Sequence, residues 1–327
     1  MNQLNEIRIT QSEMTMSNHW DHFLARWGYR RNDHRVDPGL YAIGNPNQNS
    51  PVFVTANYSL SFDALRSSIQ GLDGYILVLD TQGINVWCAA GKGTFGTVEL
   101  IHQIEASRLK EIVDHREVIV PQLGAPGIIA HEVKSQSGFR IIYGPVRAKD
   151  LPEFMQNHKK ASPQMRKVEF PLWERLILSP MEIVHVLVPM VISIVVLGLL
   201  LNWMTGISVA AGLLSGSLLF PILLPFLPGK EFGLKGLALG ILTALPFSII
   251  TWAGMAESEM WLRVINSLFY LMAIPPIVAY LGLNFTGSST YTSRSGVKRE
   301  IFRYAPIMVV LLILAIVDLI FILVLKY

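Results

Sequence analysis

The chain has 327 residues, of which 51% are hydrophobic and 16% charged, with a mean hydropathy of +0.40 and a formal net charge of +3. So small a positive excess, spread along the chain with no basic patch interleaved with aromatics, excludes a nucleic-acid partner. The single cysteine, Cys88, excludes a four-cysteine iron–sulfur cluster on this chain.

Hydropathy divides the sequence. Not one Asp, Glu, Lys or Arg falls between Ile183 and Gly229, so the N-terminal half reads as a water-soluble domain and the C-terminal half as membrane. The first twenty residues contain no apolar h-region, which predicts no cleavable signal and an N-terminal domain in the cytoplasm. Residues Asn18 to Arg30 place Trp20, Phe23, Leu24 and Trp27 at helical spacing, predicting a helix packed on the domain, with His19 and His22 at the surface.

From Pro51 the pattern alternates. Pro51 to Ala56 and Gly74 to Asp80 read as buried strands, with a helix from Ser61 to Gln70 between them. After the cysteine segment, Thr97 to Val113 reads as a long helix, Glu117 to Pro121 as a strand and Ala125 to Ser135 as a helix. Phe139 to Tyr143 then reads as a strand and Ala148 to Asn157 as a last helix. Apolar strands alternating with helices indicate a mostly parallel sheet covered on both faces, which binds ligands at the carboxyl ends of its strands. Glycines and small residues recur there, letting backbone approach something broad and flat.

Within the cysteine segment, Asn85 is a good N-cap, Val86, Trp87 and Cys88 are then the first helical positions, and Gly91 is placed to end a short helix. A helix N-terminus favours thiolate over thiol. The residues alone leave open a reactive or metal-ligating cysteine and a buried structural one. Gly91-x-Gly93-x-x-Gly96 matches the dinucleotide fingerprint, but its strand ends too early, and Lys92 is followed by Gly93 where a Walker loop requires Ser or Thr. The Asp-x-His-x-x-Gly pattern of histidine-ligated cobalamin proteins is missing from the sequence.

Asn85 to Lys92 (NVWCAAGK), followed by GTFGT, resembles the cap-helix motif of the HgcA family, the membrane-bound corrinoid proteins of mercury methylation. VTANY (54–58) and GPVRAKDLP (144–152) also resemble parts of that family and, more distantly, of the corrinoid iron–sulfur protein large subunit. The resemblance extends to the polar loop Asn284 to Glu300, a candidate docking loop, and so covers nearly the whole chain. It implies a Rossmann-like α/β corrinoid-binding domain followed by an all-α transmembrane domain of five helices. It places Cys88 as lower axial ligand to the corrinoid cobalt. The corrin contacts it implies are Thr55 and Asn57; Asn85, Val86, Trp87, Cys88, Ala89, Ala90, Gly91, Lys92, Gly93 and Thr94; Leu123, Gly124, Ala125, Pro126 and Gly127; and Gly144, Pro145 and Val146. The implied activity is methyl transfer from a methylated folate or related pterin, through the corrinoid, to Hg(II). A ferredoxin-like 4Fe-4S partner of the HgcB type is the implied reductant, because this chain holds no such cluster.

The domain is expected to occupy residues 1–157 and a basic connector residues 158–181. Five apolar segments follow, at about 182–202, 207–227, 233–254, 260–282 and 305–325, each near bilayer length. With the N-terminus inside, Lys230, Lys235, Arg294, Lys298, Arg299 and Arg303 lie on the cytoplasmic side against Arg263 and Lys326 opposite. That bias agrees with the positive-inside rule and predicts a multi-pass inner-membrane protein with its C-terminus outside. Gly212-x-x-x-Gly216 and Gly236-x-x-x-Gly240 read as packing motifs. The prolines Pro221, Pro225, Pro246, Pro275 and Pro276 read as kinks, and His185 in the first span and Asp318 in the last are ionisable groups within the membrane segments.

Overall fold

The computed structural model describes residues 7–288 and 294–326. The chain divides into two compact units, Met1–Val168 and Glu169–Tyr327.

The first unit is built on a six-stranded sheet in the order β1-β2-β4-β3-β5-β6. Its strands are β1 (Arg8–Thr10), β2 (Gly39–Ile43), β3 (Val52–Ala56), β4 (Gly74–Leu79), β5 (Glu117–Val120) and β6 (Arg140–Tyr143). β3 through β6 are mutually parallel along the sheet, and only the β2–β4 pair is antiparallel. Every residue of β3 and β4 is buried, as a sheet covered on both faces requires. One core forms around Val54, Leu77 and Leu100 on one face, and another around Phe53, Ile76 and Phe154 on the other.

The four strands expected from sequence are present to within a residue at each end. β1 and β2 were not foreseen: β1 has three residues, and Gly39-Leu40 at the start of β2 gives too short an alternation to register as a strand. The helices break where local chemistry interrupts them. The expected helix over Thr97 to Val113 divides into α4 (Thr97–Ala106) and α5 (Leu109–Ile112), because Arg108 between them is left-handed at φ 50°. The expected helix over Ala125 to Ser135 is instead a 3-10 turn over Gln122–Gly127, which contains Pro126, followed by α6 (Ala130–Ser137). Pro152 similarly sits at the first turn of α7 (Leu151–Gln156), after a 3-10 turn over Ala148–Asp150. α2 (Ser59–Ser68) begins two residues before the expected Ser61 cap.

α1 (Met16–Arg26) is capped by Thr15, and it does not pack as expected. Trp20, Phe23 and Trp27 are exposed, while His22, expected at the surface, is bound to Asp63 at 2.8 Å. His34 is buried, with Nδ1 2.6 Å from Asp21 Oδ1 and Nε2 2.6 Å from the Tyr29 carbonyl. Both partners are acceptors, an arrangement that favours the doubly protonated ring.

Among the described residues the second unit contains five helices long and apolar enough to cross a membrane: Leu172–Leu200, Trp203–Leu223, Phe232–Gly254, Met260–Thr286 and Ser295–Val324. The helices run through Pro246 and through Pro275-Pro276. Gly236 and Gly240 face the backbone of Ala279 and Pro275, so the third and fourth helices meet where a Cβ would collide. Lys235, expected in a loop, lies inside the third helix and donates to the carbonyls of Leu224 (2.7 Å) and Leu227 (2.8 Å). The expected loop over 284–300 is largely helical, because Met260–Ser288 and Arg294–Lys326 extend into it; residues 289–293 lie outside the described residues.

Burial lowers the His34 pKa, but the hydrogen bonds to Asp21 and Tyr29 and the charges of Asp21 and Asp33 outweigh it and raise the value above the ordinary 6.5. The stabilisation is therefore complete below pH 6.5 and is lost as pH rises through the folded value. Hydrogen exchange corrected for intrinsic rate should show α1 losing protection over that rise. His34→Gln should cost about 2 kcal/mol and abolish the pH dependence; a dependence that survives the substitution would assign it to another group.

Candidate functional site

Chain direction reverses at β3, with β4 on one side and β5 on the other, and such a reversal opens a crevice at the carboxyl ends of the strands. α3 (Val86–Lys92) follows β4 at that edge. Asn57, just beyond β3, fixes the intervening loop. Its Oδ1 accepts from the N–H groups of Thr81 (3.0 Å) and Gly83 (2.9 Å), and its Nδ2 donates to Asp80 (3.0 Å). The Thr81 hydroxyl donates to the Ile84 carbonyl at 2.6 Å.

Asn85 then caps α3, accepting from the Cys88 N–H at 2.9 Å, a cap worth about 1 kcal/mol. Val86, Ala89 and Ala90 are buried, which anchors the helix, while Trp87 and Cys88 are half-buried and Lys92 is exposed. The helix ends two residues later than expected. Gly93, not Gly91, is the left-handed cap at φ +88°, with its N–H donating to the Ala89 carbonyl.

The loop after β5 closes on α3. A Cβ on Gly124 would strike the Phe95 ring, and one on Gly127 would strike the Phe95 carbonyl and lie 3.2 Å from the Ala90 Cα. The Ile129 N–H donates to the Thr97 hydroxyl at 2.8 Å. These glycines therefore let one strand-end loop approach another. Gly144, after β6, donates to the Val120 carbonyl at 2.9 Å, and Gln122 donates to the Pro145 carbonyl at 3.3 Å. Of the other sequence-predicted residues, Thr55 is buried within β3, Leu123, Ala125 and Val146 are half-buried, and Pro126 is exposed. Thr94 has a buried hydroxyl oxygen with no hydrogen-bond partner.

The electrostatics differ from the expectation for a helix N-terminus. Burial pushes the Cys88 thiol up; the Asn85 side chain, Lys92 and Arg31 pull it down without overcoming that effect. Burial likewise raises the Tyr58 hydroxyl, with Arg31 and Arg26 opposing and Asp21 and Cys88 adding to the rise. Tyr58 and Arg31 thus join the thiol's surroundings. Arg31 carried no signal in the sequence, because it lies 57 positions before Cys88.

Among the described residues no group of three or more His, Cys, Asp or Glu could hold a metal ion. One soft sulfur can complete the coordination of a metal that arrives with its other ligands already in place, so the donor set fits axial ligation of a macrocycle-held metal. The capped helix and half-buried sulfur fit that role.

Alkylation of Cys88 by iodoacetamide should be slower near neutral pH than for an exposed peptide cysteine and should rise with pH beyond the ordinary thiol range. Lys92→Gln should slow it further at intermediate pH without changing the limiting rate at high pH. A rate equal to that of a free peptide thiol would contradict the raised pKa.

Residues 28–155 match the CO dehydrogenase/acetyl-CoA synthase delta subunit family. Over 128 residues the chain is 31% identical to the acetyl-CoA decarbonylase/synthase complex subunit gamma of Methanopyrus kandleri, covering 38% of this chain and 27% of the relative. It is 32% identical over 114 residues to the same subunit of Archaeoglobus fulgidus, covering 34% and 24%. With the corrinoid/iron-sulfur protein large subunit of Moorella thermoacetica it shares 29% identity over 143 residues, covering 41% and 32%. The chain thus spans about a quarter to a third of the length of these relatives. The similarity relates its N-terminal unit distantly to the corrinoid/iron-sulfur protein large subunit.

Proposed function

We propose that this chain is a corrinoid-dependent methyltransferase whose acceptor is Hg(II). One observation carries the reading: Cys88 lies at the third position of an Asn-capped helix, at the carboxyl edge of a parallel sheet, inside a segment similar to a corrinoid/iron-sulfur protein. When bound, a corrinoid supplies the cobalt centre through which a methyl group is accepted and surrendered.

The chain's own residues do the rest. Cys88 Sγ would hold the metal as a thiolate, giving up its proton. Asn85 holds the first turn of α3, and Val86, Ala89 and Ala90 fasten the helix to the core. Trp87 and Lys92 flank the sulfur along α3. Thr55, Asn57 and the turns at Leu123 to Gly127 and Gly144 to Val146 complete the edge against which the ring would lie. Held through the Cys88 thiolate, a strong donor, the corrinoid would supply methyl-transfer chemistry suited to a soft, electrophilic acceptor. A ferredoxin-like 4Fe-4S protein supplies low-potential electrons, and a methylated pterin supplies the methyl group. The soluble unit lies in the cytoplasm, with the five helices in the inner membrane and the C-terminus outside. The relatives belong to multi-subunit acetyl-CoA complexes, which favours a second reading as a membrane-tethered methyl carrier for another acceptor.

Membranes containing this chain and a ferredoxin partner, supplied with reductant, methyl donor and Hg(II), should form methylmercury. Cys88→Ala should reduce formation by more than about 100-fold, beyond the loss expected from removing an outer-shell partner, and should change the corrinoid absorption spectrum. Reducible corrinoid without product would favour the carrier. For orientation, protease added to right-side-out vesicles should leave the soluble unit intact and digest it only after lysis; cleavage without lysis would reverse the topology.

A further inference from the structure

A helix on a soluble domain turns its apolar stripe toward the core. α1 does the reverse. Met16, Trp20, Phe23 and Trp27 recur at spacings of four, three and four residues along one face, and they are 83%, 60%, 47% and 39% exposed. Trp20 stacks on Phe23 with 5.3 Å between ring centroids, and Phe23 lies 6.0 Å from Trp27, so the stripe is continuous. The inner face is polar. Asp21 binds His34 and accepts from the Ser59 hydroxyl at 2.6 Å. His22 binds Asp63, which also accepts from Arg66, and Arg66 reaches back to the carbonyls of Gln11 and Glu13. Ala25 is the one fully buried apolar residue of the helix.

Hydrogen bonds and ion pairs thus fasten α1 by its polar side and hold the aromatic side outward. A contiguous exposed apolar patch marks a contact surface. We propose that α1 docks on an anionic phospholipid surface, its aromatic face entering the interfacial layer.

Four observations favour lipid as the occupant. Tryptophan, with an apolar ring and one N–H donor, partitions to the membrane interface. Arg26 ends the helix, and exposed Arg30, Arg31 and Arg35 follow it against a single intervening acid, Asp33, so the adjoining segment is cationic and suits anionic headgroups. α1 lies outside residues 28–155, the part that matches the delta subunit family. Finally, the same polypeptide carries the membrane-length helices. Met165 is packed in the core of the first unit and the first such helix begins at Leu172, so the intervening residues 166–171 reach at most about 25 Å. A bilayer is therefore always within a short tether of this domain.

The test uses the full chain in vesicles of phosphatidylethanolamine and phosphatidylglycerol. The emission of Trp20 and Trp27 is isolated as the difference between the wild type and a Trp20→Tyr, Trp27→Tyr variant, whose exposed positions tolerate the change. Phospholipid brominated on its acyl chains should quench that difference signal, and aqueous iodide should quench it at least about threefold less than free tryptophan. Replacing phosphatidylglycerol with phosphatidylcholine should weaken the bromolipid quenching. Full iodide access with no bromolipid quenching would overturn the proposal. Shielding that arises only when a ferredoxin is added would overturn it too, assigning the stripe to a protein partner. Neither result depends on methyl transfer or on corrinoid binding.

Discussion

The arrangement around Cys88 depends on how Asn57 uses its side-chain amide. At the end of β3 the parallel sheet stops supplying hydrogen bonds to its neighbour, yet the chain leaving β4 must turn at once into α3. Asn57 meets this need with one acceptor and one donor, binding the amides of Thr81 and Gly83 and the carboxylate of Asp80. The loop is thereby tied to the most buried strand pair of the domain, and α3 begins from a fixed point. A half-buried sulfur can serve as a ligand only if its helix does not drift, because binding energy lost to ordering a loop is unavailable to the bond.

The loop after β5 imposes a second constraint. Phe95 is fully buried between the α3 cap and the turn at Gln122–Gly127, and only glycine at 124 and 127 lets the two segments meet around it. Burial also governs the thiol's electrostatics. Packing removes water from Cys88, and that loss outweighs the nearby cations and the Asn85 side chain. Burial thus favours the neutral thiol over the thiolate at Cys88.

The second unit solves a comparable problem in an apolar setting. The chain after Leu223 leaves carbonyls without helical partners, which is costly away from water. Arg175 donates to the carbonyls of Pro221 and Ile222, and Lys235 donates to those of Leu224 and Leu227. Two basic residues are thus spent on the end of one helix. A charge count along the sequence treats Lys235 as part of a topology signal; the packing gives it a local structural task as well.

Much of this protein was legible without coordinates. Apolar strands alternating with helices indicated the parallel sheet because burial on both faces leaves a continuous run of Val, Ile and Leu, and five long apolar segments indicated the helices of membrane-spanning length because a bilayer sets that length. The Asn85 cap was readable because capping depends on residues three apart in sequence. Tertiary structure decided what depends on distant neighbours. Two expected helices broke, at left-handed Arg108 and at the 3-10 turn that contains Pro126, and Gly93 took the left-handed position two residues beyond Gly91. The aromatic residues of α1 have the same helical spacing whether they face inward or outward. Their outward direction was settled by Asp21 and His22, whose partners His34, Ser59 and Asp63 come from elsewhere in the chain, so periodicity determined the stripe and long-range hydrogen bonding determined which way it faces.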